Sequence, residues 1–312
     1  MTGTSPRIGV MLPRDLPAQQ VMPFAQRAES LGFDELWVVE DLGYRGGFAQ
    51  ASAILAVTER IRVGIGILPA AVRNVAYAAM EIATVEQLFP GRVDVGIGHG
   101  MPGWMRQAGC WPDKPLSFLR DYVIALRTLL AGKEAQGVVL DRSAVPDRIP
   151  PLLFGVRGPK SLAAAGQVAD GTVLAEPVTP EYARAAREFI APTGTHRVVA
   201  YNVGVVREDE SAALAAARPG LEWIGEPDWA PHLAPLPFAG ELAALRERSV
   251  DRAAFARDLP EEWVRQLALA GTAAQVRARI DGLAAAGVTS SVFIPVGPDP
   301  MTALTELAAV LG

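Results

Sequence analysis

The chain has 312 residues, half of them apolar, enough to bury a large core. Its 29 Lys and Arg against 34 Asp and Glu leave a net charge of −5 without a basic stripe, so neither nucleic acid nor an anionic membrane surface is an expected partner. A single cysteine, Cys110, excludes an internal disulfide framework and fits a reducing, cytoplasmic setting.

Three scattered histidines, His99, His196 and His232, lack metal-ligand spacing, and no metal is expected. The first residues show no secretory pattern. The longest uncharged run, 282–298, is broken by Gly287, Pro295 and Gly297, so no membrane span is expected either.

In chain order, Arg7–Leu12 reads as a strand closed by Pro13, and Leu16–Leu31 as a helix stopped by Gly32. Leu36–Val39 is the second strand, followed by the adjacent carboxylates Glu40 and Asp41. Phe48–Thr58 is a helix, and Ile61–Leu68 is a third strand containing Gly64 and Gly66. A helix at Val75–Leu88, a strand at Val93–Ile97 and a helix at Leu116–Leu130 come next, then an irregular excursion over 133–150. Leu152–Val156 is the fifth strand, and Gly158-Pro159 opens a helix that ends before Gly171. Thr172–Ala175, Val198–Val206 and Ser291–Ile294 complete the strands. The remaining helices fall at Glu181–Ile190, Ser211–Ile224, Ala273–Ala286 and Met301–Leu311. Residues 225–262 break this rhythm with Pro and Trp and read as an insertion with short helical pieces.

Each strand is a continuous apolar run, as burial on both faces requires. Alternation with helices through the whole chain predicts one α/β domain over 1–312, a (β/α)8 TIM barrel with insertions, with its site at the C-terminal ends of the strands.

Several stretches there carry candidate chemistry. Pro159 suits a first helical turn. The N–H groups of Lys160, Ser161 and Leu162 would then face back over the strand end, with the Lys160 ammonium beside them, a combination suited to phosphate. The plainer reading is a turn with a solvated Lys160. Gly64 and Gly66 mark either a bulge against a flat ligand or tight packing inside the barrel. Gly98-His99-Gly100-Met101-Pro102-Gly103 matches a dinucleotide fingerprint literally, but Pro102 and the stretch from Trp104 to Pro115 do not read as the required helix. It is better taken as a bare strand end carrying His99 to a pocket. The pleat sends Glu40 and Asp41 opposite ways, so at most one is expected in the mouth. Tyr44, Trp104, Trp111 and part of 225–262 are expected to wall the pocket and to favour an apolar or aromatic small-molecule substrate.

Three ordered segments then resemble one family: AESLGFDELWVVED (28–41), RIRVGIGILPAAVRNVAYAAMEIATVEQLFPGRVDVGIGHG (60–100) and GVRGPKSLAAAGQVADG (155–171). They are similar to the luciferase-like flavin and deazaflavin oxidoreductases, and the likeness resumes in GTAAQVRARIDGLAAAGVTSSVFIP near the C-terminus. The resemblance implies a barrel that is usually a homodimer and holds a planar cofactor in its mouth. The cofactor is coenzyme F420, with FMN as the alternative. The turn at 158–161 is closer to the deazaflavin branch. In that branch a non-proline cis peptide forms a bulge behind the ring, here Gly66–Ile67.

By the same resemblance Glu40 lies near the ring, Gly66 and Ile67 behind it, and Gly158, Pro159, Lys160 and Ser161 on the phosphate, with Val156 and Arg157 also among the cofactor-binding residues. The implied activity is hydride transfer between coenzyme F420 and a small organic substrate; the alternative is an FMN-dependent monooxygenase. Two residues depart from the family pattern: Asp41 stands where His is common, and Met101 where many members have Glu. Asp41, His99 and Glu176 are the catalytic substitutes.

Overall fold

The computed structural model describes residues 5–312. Nine parallel strands form one sheet: β1 Arg7–Met11, β2 Glu35–Val38, β3 Arg62–Pro69, β4 Val93–Gly98, β5 Leu152–Gly155, β6 Gly171–Leu174, β7 Arg197–Val206, β8 Leu269–Gly271 and β9 Ser290–Pro295. Strands β1 to β7 and β9 close on themselves through β6–β7, β7–β9 and β9–β1 pairing, giving the eight-stranded barrel. The helices lie outside it, so the strands are buried on both faces, in keeping with their largely apolar sequences.

β8 is an addition that sequence reading misses. Its three residues pair only with the far end of β7, Gly204 to Val206, which runs beyond the barrel rim. A run of that length carries no strand periodicity. Between β7 and β8 the chain forms short helices, including Ala230–Leu233, Ala239–Arg248, Arg252–Asp258 and Glu261–Leu267, around their own apolar cluster. The helix after β8 starts on a reciprocal cap, with Thr272 and Gln275 satisfying each other's backbone N–H groups, and ends at Gly287 with φ of 99°.

A second correction concerns the segment after β4. A helix does follow Gly100, at Pro102–Gln107, because Pro102 takes the first helical position where its missing N–H is no loss. It spans only six residues and follows the fourth strand, so it remains unlike a dinucleotide-binding unit.

The N-terminal end of the barrel is held by a buried ionic network. Glu35, fully buried, accepts from Arg197 at 2.8 Å, Arg7 at 3.2 Å, Ser290 at 3.1 Å and the Trp37 indole at 2.9 Å. Asp94, also fully buried, meets Arg62 and, at 2.7 Å, the other arm of Arg197. Arg197 thus ties β2, β4 and β7 together at the end opposite the site.

Candidate functional site

β3 builds the floor of the open end. Its pairing with β4 slips between Ile65 and Leu68, and the Gly66–Ile67 peptide within the slip is cis. Ile67 fits against Gly96, Gly98 and Gly155 of the next two strands. A Cβ at Gly155 would lie 2.2 Å from the Ile67 side chain, and one at Gly98 would lie 3.1 Å from it.

The bareness of Gly64 and Gly66 has a different explanation from an approaching ligand. A Cβ at Gly64 would fall 2.2 Å from the Trp37 ring, and one at Gly66 1.9 Å from the Tyr201 hydroxyl. Packing by the protein's own aromatics fills that space, and Gly66 lies within the register slip, so both the bulge and the tight packing read from the sequence are present. Gly66 and Ile67 still line the cavity above.

That cavity occupies about 640 Å³ at the C-terminal ends of the strands. Its wall contains Glu40, Asp41, Gly66, Ile67, His99, Val156, Arg157, Gly158, Ser161 and Glu176 from the sequence-based set, together with Trp104 and Trp111. Pro159 and Lys160 are exposed and outside it, and so is Tyr44. The helix Pro159–Val168 does begin as expected, with Gly158 before it and Pro159 in the first position. Leu162, however, spends its N–H on Gly158 O at 2.9 Å, which leaves Lys160 and Ser161 as the backbone donors at the rim.

Both Glu40 and Asp41 reach the cavity wall, contrary to the pleat argument, because β2 ends at Val38 and the pair lies in irregular chain. Neither is a free carboxylate. Glu40 takes both arms of Arg73 and accepts the Gly47 N–H at 2.6 Å, capping the helix that starts there. Hydrogen bonding to Glu40 raises the Arg73 pKa against the opposing effect of burial. Asp41 pairs with Arg14 at 2.8 Å, and Arg14 lies over the Tyr44 ring at 4.8 Å.

His99 and Glu176 are the less encumbered groups. Burial lowers the His99 pKa, so the imidazole is neutral at neutral pH, with its ring 6.5 Å from that of Trp111. Burial also raises the Glu176 carboxyl, and the nearby Arg157 charge only partly offsets it. A carboxyl shifted this way keeps its proton to higher pH and can donate it.

Among the wall residues that escape sequence reading are Arg14, Tyr201 and Trp223, whereas Trp229 meets the expectation that part of 225–262 walls the pocket. Arg14 follows the strand-ending Pro13, a position that could have signalled it. Trp229 comes from the excursion after β7. Arg157 stacks over it at 5.1 Å and donates to Asp228 O at 2.9 Å, while Tyr182 donates to Arg157 O at 3.1 Å. These contacts fix the excursion over the end of β5. Among the described residues, no cluster of His, Cys, Asp and Glu could hold a metal ion.

The cavity offers polar groups at its floor and at its rim. Its floor carries an unpartnered buried hydroxyl on Tyr201, and its rim offers two unsatisfied backbone N–H groups at a helix start.

Comparison with known proteins agrees with this architecture. Residues 2–290 match the luciferase-like monooxygenase family. A 5,10-methylenetetrahydromethanopterin reductase from Archaeoglobus fulgidus is 28% identical over 94% of this chain and 95% of its own length. An F420-dependent glucose-6-phosphate dehydrogenase from Beutenbergia cavernae is 31% identical over 52% of each chain. The solved coenzyme F420 dependent tetrahydromethanopterin reductase of Methanopyrus kandleri superposes with a TM-score of 0.80 at 21% identity, covering 98% of both chains. The barrel, the slipped third strand and the match over nearly the whole length lead to one conclusion: the chain belongs to the luciferase-like monooxygenase family.

Proposed function

We propose that this protein is a coenzyme F420-dependent oxidoreductase that transfers hydride between the coenzyme and a small, apolar or aromatic substrate. One observation carries the reading: a single cavity joins the slipped floor of β3 to the open helix start at Gly158–Ser161. The names of the relatives support F420 over FMN, whereas the family's own name keeps an FMN-dependent monooxygenase as the second reading.

When bound, the coenzyme supplies the carbon that gives or takes hydride. The chain supplies the rest. Ser161 and Lys160 N–H groups receive the phosphate, and Ile67 supports the ring. Trp104 and Trp111 exclude water from the substrate side. Glu176, whose carboxyl pKa burial raises, gives or regains the proton, with His99 and Asp41 completing the polar wall.

Titrating the purified protein with coenzyme F420 and following fluorescence is expected to show saturable binding at micromolar concentration. Uptake of FMN with no response to F420 would replace the coenzyme assignment with the second reading.

No helix among the described residues is long and apolar enough to cross a membrane, and a cytoplasmic location is part of the proposal. So is a homodimer. Tyr77, Met80 and Leu88 on the helix Val75–Leu88 and Phe118 and Ile124 on the adjacent helix Pro115–Leu130 are exposed apolar side chains that a second copy would cover. Sedimentation at micromolar concentration should give twice the 33.1 kDa chain mass, and Leu88→Asp should shift the protein toward monomer. A wild-type monomer would remove this part of the proposal.

A further inference from the structure

Tyr201 lies in the middle of β7, 4% exposed, with its ring edge-on to Trp37 at a centroid distance of 5.7 Å. Its hydroxyl fills the space left by the missing side chain of Gly66, beside the slip in β3. The same residue forms part of the cavity floor, and its Oη has no hydrogen-bond partner among the described residues. A buried hydroxyl without a partner destabilises the empty protein, and phenylalanine would fill the same space without that defect. A group so placed is explained when something entering the cavity accepts its hydrogen bond. The unpartnered atoms on His232, Ser291, Arg279 and Glu86 do not face this cavity. Trp229 does, but from the excursion that covers the end of β5 rather than from the floor.

We propose that Tyr201 Oη donates a hydrogen bond to an acceptor atom, a carbonyl oxygen or ring nitrogen, of the flat heteroaromatic redox ring bound in this cavity. The inference rests on the reading that a coenzyme with such a ring binds here, and it adds the residue that holds the ring. Burial pushes the phenol well above its ordinary value of 10, so it is a neutral O–H donor throughout the physiological range. The donor is already stripped of water in the empty protein. The ligand therefore gains the bond without the chain first giving one up.

The test compares wild type with Tyr201→Phe, titrating each with coenzyme F420 and with FMN and recording thermal unfolding without ligand. The variant is expected to bind the ring-bearing ligand about five- to tenfold more weakly, while melting at the same or a higher temperature. Equal affinity in both proteins would overturn the inference even where F420 binds tightly. Weaker binding together with earlier melting would also overturn it, because the hydroxyl would then be a packing element. If wild type takes FMN alone and Tyr201→Phe weakens FMN, the coenzyme assignment fails and the role of Tyr201 stands. If wild type takes neither ligand, both fall.

Discussion

Arg197→Ala is expected to lower unfolding stability by about 3–5 kcal/mol, the loss typical of breaking a buried ion pair from one side. Arg197 is the shared cation of Glu35 and Asp94, and both carboxylates are fully buried. Removing it leaves Arg62 alone beside Asp94 and the half-exposed Arg7 beside Glu35. Urea unfolding measures the effect. Arg120→Ala is the control, since Arg120 and Asp121 form an exposed pair whose loss should change little. Equal midpoints for the two variants would show that the network is decorative.

The same network predicts the response to acid. Burial by itself would raise the Asp94 carboxyl, but Arg197 and Arg62 outweigh it and hold the group below its ordinary value. The folded protein therefore binds this proton more weakly than the unfolded chain does. The stability it contributes is fully present above the unfolded pKa and is lost as pH falls through the folded one, below about pH 4. Wild type should lose stability in that window, and Arg197→Ala should lose less, having already lost much of the contribution.

Most of the barrel is legible in the sequence because a strand buried on both faces writes its own signature. Leu152–Val156 is apolar without alternation and is followed by a helix whose Gly158-Pro159 start is readable. The features that escape are set by tertiary contact. β8 exists because β7 overshoots the rim and offers it an edge. The bareness of Gly64 and Gly66 looks like room for a ligand, yet Trp37 on the neighbouring strand and Tyr201 across the barrel occupy it. Tyr201 itself reads as one more core residue in an apolar run, because neither period nor neighbours reveal that its hydroxyl finds no partner. Lys160 shows the opposite error. Its charge is conspicuous in the sequence, but helical geometry turns it to solvent while Ser161 faces the cavity.

That last difference sets up the prediction with the largest effect on binding. If the phosphate of the coenzyme is held by the backbone at the helix start, Ser161→Glu should abolish measurable binding while leaving the empty protein as stable as wild type or slightly more so. A carboxylate in the first turn of a helix interacts favourably with its free N–H groups and dipole, by about 0.3–1 kcal/mol. The same carboxylate occupies the place of the phosphate and repels it. At about 4 Å and an effective dielectric near 20, that repulsion is about 4 kcal/mol, or roughly three orders of magnitude in affinity. Lys160→Ala, by contrast, removes an exposed charge outside the cavity and should weaken binding only a few-fold, by an amount that added salt erases. Fluorescence titration of the two variants with coenzyme F420, beside thermal unfolding of each, separates the contributions. Retained affinity in Ser161→Glu would place the phosphate elsewhere on the rim. A large loss in Lys160→Ala alone would return the anion site to the side chain. The expected pair of results, a firmer helix that no longer takes the ligand and a lysine that hardly matters, is what an anion bound to the backbone donors of that helix start requires.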